Sequence, residues 1–305
     1  METECALGRP GIHCLLDAEV QTLVDIYNEK IGSKKSIPET LSKQAILDVL
    51  LTKTGCNSEE CVVCKILAAV KGTVYESVVR RIKEVAFKVE GPAELTALLD
   101  SFLIIRLCHQ LEVNYAKIKF GGVLTVDFMI PPTISIYGDP AEVWKDYSIN
   151  KWDQLQFVFN IDHRMGIGQH WTSMVIDIPG SAIEYFDSYG LPPPDGILVG
   201  SRPYRLITDA SGRFLSLLRN WINDVRQEFV QHGLPLRFIH NTTRHQADHD
   251  QSNCGPYSIL FLALRAQKIP FNRINRNAIT MEEIVKIRNR LYRRTETYKP
   301  TPPIP

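Results

Sequence analysis

The most constraining feature of this sequence is a helix-forming segment that is apolar on nearly every face. It reads CGPYSILFLALRAQ, over residues 254–267. A helix that lacks a polar face is covered by other elements rather than by water. The sequence therefore predicts that this helix is buried inside the fold.

The hydrophobic pattern changes near residue 112. The first third shows helical periodicity, including a helix that ends at Gly55 and another predicted over residues 92–111. Strand-like runs follow, separated by turn residues such as Pro179-Gly180. The pattern predicts a helical N-terminal part, residues 1–112, and a mixed α/β part, residues 113–305, whose last helix begins with a capping box of Thr280 and Glu283.

Composition bounds the class of protein. The chain has 305 residues with a net charge of +1, which argues against a general polyanion binder. No run approaches the roughly 20 apolar residues of a membrane helix, and no signal peptide is recognised, so no membrane partner is expected. The seven cysteines suggest a reducing compartment and free thiols. They are Cys5, Cys14, Cys56, Cys61, Cys64, Cys108 and Cys254.

Positive charge is concentrated near the C-terminus. Residues 265–299 hold ten Lys or Arg and three acids, a local net charge of +7. Such a segment is either a solvated helix face or a surface for an anionic partner, nucleic acid or a capsid surface.

Cys254 is placed where a thiolate would be stabilised. Free cysteine has a pKa of about 8.5, so a nucleophilic cysteine benefits from activation. Pro256 suits the first turn of a helix, which puts Cys254 at the N-terminus, where the helix dipole favours negative charge. Gly255 allows a sharp turn and close approach of a substrate. The alternative is a buried structural cysteine.

A cysteine nucleophile needs a base and a group that orients it. His170 opens a strand after the glycine-containing loop 164–169. Asp187 ends the next strand, and a hairpin that turns at Pro179-Gly180 brings positions 170 and 187 together. Taken alone, Asp187 is equally consistent with a strand-end turn.

An oxyanion intermediate needs neutral hydrogen-bond donors. The backbone N–H of Cys254 is one candidate. The side chain of Gln251, three residues before the cysteine, is the first choice for the second, and Gln246 is the alternative.

By their spacing, Cys56, Cys61 and Cys64 are candidate zinc ligands, with Cys14 or His13 as a fourth. The sequence lacks a second pair of ligands spaced like Cys61 and Cys64, so thiols on a helix and a loop are the better interpretation. Neither a metal nor a cofactor is expected.

Three segments together resemble a known family: QHWTSMVID, IEYFDSYG and DQSNCGPYS. Their order His, Asp, Gln, Cys is that of the ubiquitin-like-protein protease superfamily, the Ulp1/adenain clan of cysteine peptidases. Within it, RHQ at residues 244–246, CGPYS at residues 254–258 and GCNSEECVV at residues 55–63 are similar to polyprotein-processing proteases of large DNA viruses.

The resemblance implies an α/β (α+β) fold with a central mixed β-sheet flanked by helices, a helical arm domain over residues 1–112 and a catalytic domain over residues 113–305. It implies an endopeptidase that cleaves after Gly-Gly in viral structural polyproteins, in the host cytoplasm, at virus factories, and in the virion. The implied roles are base for His170, orienting group for Asp187, nucleophile for Cys254 and oxyanion donor for Gln251. Trp171 would wall a tunnel that only glycine can thread. One departure is Asp248, which stands where cellular SUMO proteases have the glutamine.

Three alternatives stay open. The same site could remove SUMO or ubiquitin from host proteins, recognising a ubiquitin-like partner. One branch of the clan transfers acetyl groups with a Cys-His pair. An assembly protein could keep the fold without activity.

Overall fold

Two compact units make up the computed structural model, Met1–Val89 with Arg290–Arg293, and Glu90–Asn289 with Arg294–Pro305. The structure describes residues 4–9, 12–32, 37–38, 41–128, 151–162, 168, 170–194, 197–199, 202–205 and 217–299. The predicted domain boundary at residue 112 lies inside the second unit, near the end of a helix that packs against that unit's sheet.

Four helices with a common apolar core lie in the described part of the first unit. Val24, Leu50, Val63 and Val79 are each fully buried in it. Gly55 follows the second helix with φ +65°, the left-handed conformation expected of a C-terminal glycine. The helices are α1 Asp17–Lys30, α2 Lys43–Thr54, α3 Glu59–Ala69 and α4 Glu76–Ala86.

Two disulfides lie in the first unit. They join Cys5 to Cys14 and Cys56 to Cys61. The expectation of seven free thiols is therefore wrong, since only Cys64, Cys108 and Cys254 are free. Pairing depends on Cα separations, here 4.8 and 5.6 Å, which the spacing of cysteines along a chain does not reveal. The cysteine spacing that suggested zinc includes a disulfide, and the described residues contain no cluster of three potential metal ligands.

A five-stranded mixed sheet forms the centre of the second unit, as the predicted fold class requires. The strands are β2 Ile118–Thr125, β3 Gln154–Asn160, β4 Trp171–Asp177, β5 Ala182–Phe186 and β8 Arg237–His240. Their order in the sheet is β2-β3-β4-β5-β8, with parallel pairs β2-β3 and β5-β8 and antiparallel pairs β3-β4 and β4-β5.

Helices cover both faces of this sheet. Leu155, Phe157 and Phe159 of β3 pack against Trp221 of one helix. Side chains alternate along a strand, so Gln156 points to the opposite face of the sheet, where its amide donates to the carbonyl of Leu262 in the apolar helix. The remaining elements are β1 Val89–Pro92, α5 Ser101–Asn114, β6 Ile197–Val199, β7 Arg202–Arg205, α6 Leu217–Gln231, α7 Cys254–Ala266, α8 Phe271–Arg276, α9 Met281–Leu291 and β9 Tyr292–Thr295.

The predicted burial of α7 is confirmed, because eleven of its thirteen residues are buried. Thr280 and Glu283 form the predicted capping box in front of α9. Among the helices that the structure describes, none is long and apolar enough to cross a membrane.

The helix predicted over residues 92–111 is shorter than expected. Helix α5 starts at Ser101, because the Asp100 carboxylate accepts a hydrogen bond from the N–H of Leu103 at 2.8 Å and so caps the helix. Residues 93–99 are an irregular segment instead, and Leu99 within it is buried. This segment lies beside the site described next.

Candidate active site

Three secondary-structure ends converge on one place. His170 immediately precedes β4, Asp187 immediately follows β5, and Cys254 is the first residue of α7. The β4-β5 register pairs Ser173 with Phe186, so the hairpin carries His170 and Asp187 to the same edge of the sheet, as predicted. Of the preceding loop, residues 164–169, only Gly168 belongs to the described part of the chain.

His170, Asp187 and Cys254 form a buried hydrogen-bonded chain. Nε2 of His170 lies 3.0 Å from Oδ1 of Asp187, and the imidazole also hydrogen-bonds the thiol of Cys254. The three residues are between 1% and 8% exposed.

The electrostatics of this chain favour a charged imidazole. Burial alone lowers the pKa of His170, but the hydrogen bonds and charges of Asp187 and Cys254 outweigh burial and raise the pKa to about 10. A protonated His170 beside the sulfur stabilises negative charge on Cys254.

The backbone around Cys254 also suits an anion. Helix α7 begins at Cys254, and the first N–H groups of a helix have no acceptor within it. They point toward the helix N-terminus, where the dipole favours negative charge. Pro256, which has no N–H, occupies the first turn as predicted.

The side chain of Trp171 is anchored close to the start of α7. Its indole N–H donates to the carbonyl oxygen of Leu99 at 3.0 Å. Leu99 in turn packs on Gly255, where an added Cβ would lie 3.1 Å from the Leu99 side chain. Trp171 is only 6% exposed, so the indole and Leu99 form a tight, fixed boundary next to Cys254.

A family model described as the Ulp1 protease family, C-terminal catalytic domain, matches residues 73–299, which include all of these groups. The chain belongs to the Ulp1 protease family. The resemblance to the Ulp1/adenain clan that the sequence indicated is confirmed, and the protein is a cysteine-type protease.

Curated relatives agree with this assignment. The SUMO-1 cysteine protease S273R of African swine fever virus, isolate Pig/Kenya/KEN-50/1950, is 27% identical over 78% of this chain and 84% of its own length. The cysteine protease S273R of isolate Tick/Malawi/Lil 20-1/1983 is 26% identical over the same shares.

A solved structure shares the fold of this Ulp1-family protease. The selenomethionine crystal structure of the African swine fever virus pS273R protease superposes with a TM-score of 0.60 at 23% identity, covering 97% of both chains. The likeness extends over nearly the whole chain, including its helical N-terminal part.

The two glutamines differ in their surroundings. Gln246 is buried, its Oε1 accepts from the hydroxyl of Ser188 at 2.5 Å, and its Nε2 donates to the carbonyl of Asp250 at 2.6 Å. Gln251 is exposed on the loop before Cys254. Gln246 is therefore committed to the protein itself, which favours Gln251 as the residue available to a substrate. Asp248 is exposed and pairs with Arg244.

Asn241 supports Asp187 and was not singled out from the sequence. It is fully buried, accepts from the N–H of Asp187 at 2.8 Å and donates to its carbonyl at 2.6 Å. The signal that could have located it is the parallel pairing of β5 with β8, which puts the residue after His240 beside the end of β5.

Tyr189 is a second contributor that sequence reasoning missed. Its ring stacks on His170 with centroids 5.0 Å apart, and its hydroxyl donates to the carbonyl of Asp250 at 3.0 Å. Its N–H donates to Oδ1 of Asp187 at 2.7 Å. Tyr189 thus ties the imidazole, the carboxylate and the loop before Cys254 together.

The basic segment 265–299 is partly used inside the protein. Arg265 is buried between Glu184 and Asp177, Arg288 is fully buried, and Arg293 pairs with Glu4 and Glu60 within the first unit. The expectation of a solvated face or partner surface is wrong for Arg265 and Arg288, because burial removes them from solvent, whereas Arg293 is only half-buried. Arg273, Arg276 and Arg290 are exposed.

Proposed function

We propose that this protease is an endopeptidase that cleaves polypeptides after Gly-Gly. Its substrates are viral structural polyproteins with Gly-Gly-Xaa sites, cut during virion maturation in the host cytoplasm and the virion. The observation that carries the proposal is the chain Asp187–His170–Cys254 beside the boundary made by Trp171 and Leu99.

Acylation follows from this arrangement. The thiolate of Cys254 attacks the carbonyl carbon of the second glycine and forms a C–S bond, and the carbonyl oxygen becomes an oxyanion. The N–H of Cys254 and the amide of Gln251 donate to that oxyanion. The C–N bond then breaks as protonated His170 gives its proton to the leaving amine.

Deacylation uses the same groups in reverse. Neutral His170 removes a proton from water, the resulting hydroxide attacks the thioester, and Cys254 leaves as a thiolate. Asp187 holds the imidazole in one orientation through both steps and stabilises its charged form. The products are a new amine terminus and a chain that ends in Gly-Gly.

Selectivity for glycine follows from exclusion. Trp171 is fixed by Leu99, and Leu99 is fixed against Gly255, so the boundary has no freedom to withdraw from a substrate side chain. A β-carbon on either residue before the cut would meet the flat indole. Glycine escapes this clash because it has no β-carbon.

A ubiquitin-like protein that ends in Gly-Gly presents the same scissile bond, so deSUMOylation or deubiquitination is the alternative activity. The exposed arginines of segment 265–299 remain available to a nucleic acid or capsid surface.

One set of assays separates the activities. The protein is incubated with a Gly-Gly-Xaa peptide, with SUMO and ubiquitin fluorophore conjugates, and with labelled acetyl-CoA and an acceptor peptide.

We expect cleavage of the peptide, lost in Cys254→Ala and kept in Cys64→Ala, which removes another free thiol. Faster turnover of a conjugate than of the peptide would favour the ubiquitin-like alternative, and acetyl transfer would favour the acetyltransferase. If Cys254→Ala retained full cleavage, the proposed mechanism would be wrong.

A further inference from the structure

The loop before the nucleophile is a buried segment without regular structure. Asp250, Ser252 and Asn253 are each at least nine-tenths buried, and Cys254 begins α7 directly after them. This loop also carries Gln251. Side chains, rather than a helix or strand ladder, must therefore fix the positions of the donors that face an oxyanion.

Asp250 closes the loop from within. Its Oδ1 accepts from the N–H of Ser252 at 3.1 Å and from the N–H of Asn253 at 3.2 Å, and it also accepts from Nδ2 of Asn253 at 2.9 Å. One carboxylate therefore satisfies both backbone donors that precede Cys254. The side chain of Asn253 is held with its amide nitrogen toward Asp250 and its amide oxygen away from it.

Arg288 of α9 takes that amide oxygen. Its Nε donates to Oδ1 of Asn253 at 2.6 Å, and its Nη2 donates to the carbonyl of Ser252 at 2.8 Å. Arg288 is 0% exposed, so a guanidinium has been taken out of water at a cost that only well-placed acceptors offset. Asn253 thus bridges a buried cation and a buried anion directly beside the nucleophile.

The same guanidinium reaches the other side of the site. Nη2 of Arg288 also donates to the carbonyl of Ala97 at 2.9 Å, two residues before Leu99. Leu99 accepts from Trp171 and packs on Gly255. One planar, forked side chain therefore sets the spacing between the nucleophile loop and the segment that fixes the indole.

We propose that Arg288 is a positioning residue for the cleavage reaction, acting through Asn253 and Ser252 on the oxyanion donors and through Ala97 on the Leu99–Trp171 boundary. It touches neither the imidazole nor the thiol in the contacts described above. Its loss should therefore impair the chemistry of acylation while leaving the reactivity of the Cys254–His170 pair intact. The inference rests on the proposed cleavage after Gly-Gly.

The test compares Arg288→Met, Asn253→Ala and their double variant, with Arg290→Met as a control from an exposed position of the same helix. The steady-state parameters kcat and KM are measured on Gly-Gly-Xaa and Ala-Gly-Xaa peptides. The rate at which iodoacetamide alkylates Cys254 is measured separately, and the modified residue is located by peptide mass mapping. Alkylation needs the thiolate but no oxyanion donor, so it separates positioning from general damage.

We expect Arg288→Met and Asn253→Ala each to lower kcat about 100-fold, the size of effect that follows when catalytic groups such as the oxyanion donors are displaced by about 1 Å. The alkylation rate should be unchanged. The double variant should fall no further than Arg288→Met, because both act on one chain of contacts. Arg288→Met alone should also reduce the preference for Gly-Gly over Ala-Gly. Arg290→Met should match the wild type.

An unchanged kcat in Arg288→Met, or an alkylation rate that falls with kcat, would overturn the inference. If Arg288→Met fails to fold, the same two measurements on Asn253→Ala test the inference. This variant removes the hydrogen bond between Arg288 and Asn253 but keeps the buried guanidinium. A wild-type protein that does not cleave the peptide counts against the proposed function. A wild type that cleaves, with variants that cleave equally well, counts against Arg288 alone.

Discussion

The indole N–H of Trp171 donates to the carbonyl of Leu99, at 3.0 Å and across 72 residues of sequence. This bond fixes a large aromatic wall to a segment that has no regular structure of its own. The indole is consequently held rigidly at the position where, in the proposed function, a substrate backbone passes the thiol. A rigid wall discriminates by size, whereas a mobile one adapts to its ligand.

Trp171→Phe should weaken this discrimination. The phenyl ring keeps an aromatic side chain at this position but cannot donate a hydrogen bond to Leu99, so the ring is held less firmly. Loss of that hydrogen bond should lower the free energy of unfolding by about 1 kcal/mol. We expect the ratio of kcat/KM for Gly-Gly over Ala-Gly peptides to fall about tenfold, the scale of one methylene in a tight site. Trp152→Phe, which changes a tryptophan packed in the α6 side of the core, should leave the ratio unaltered.

Gly255→Ala should displace the boundary from the other side. The new Cβ would lie 3.1 Å from Cβ and Cγ of Leu99, too close for an unadjusted contact. We expect a loss of about 1–3 kcal/mol in the free energy of unfolding, measured by urea denaturation, with reduced kcat/KM. Leu99→Ala keeps the Cβ but removes Cγ and both Cδ atoms, so the two substitutions should couple: the double variant should lose less stability than the sum of the two single losses, and strictly additive losses would contradict this account.

Asp187→Asn should cost more stability in acid than in alkali. The folded protein raises the pKa of His170 from 6.5 to about 10, against the effect of burial, so the contribution of its charged form is complete below about pH 6.5 and disappears as the pH rises through about 10. We expect urea denaturation near pH 6 to show a loss of about 1.5–3 kcal/mol, the range for a hydrogen bond to a charged group, and a smaller loss near pH 10. Asp248→Asn, at an exposed carboxylate, is the control and should show little change at either pH.

The sequence predicted the parts of the site that local pattern determines. A short turn at Pro179-Gly180 fixes which residues of two neighbouring strands face each other, and so pairs His170 with Asp187. An apolar helix that starts at Cys254 has to be buried with its N-terminus at a defined place.

The rest depends on contacts between distant segments. Asn241 reaches Asp187 only because β8 joins the sheet parallel to β5, and a parallel neighbour is not encoded in either strand alone. Apolar residues before Asp100 continue a helical pattern, yet the bond from Trp171 to Leu99 and the cap at Asp100 favour an irregular segment. Arg288 is one of ten basic residues in the segment 265–299, and composition does not show which arginine of such a segment is buried.

Alkylation under denaturing conditions without a reductant checks the two disulfides. We expect iodoacetamide to modify three of the seven cysteines, Cys64, Cys108 and Cys254, and all seven after reduction. Reduction should also lower the stability of the first unit, because a disulfide limits the unfolded chain. Modification of all seven without reductant would show that these cysteines are free thiols.

Trapping the acyl-enzyme tests the central claim most directly. The protease is mixed with a Gly-Gly-Xaa substrate, quenched in acid within one turnover, digested and mapped by mass spectrometry. We predict a thioester that joins the acyl part, ending in Gly-Gly, to Cys254, present in the wild type and absent in Cys254→Ser. An acyl group on another residue, or cleavage by Cys254→Ala at the wild-type rate, would contradict nucleophilic catalysis by Cys254.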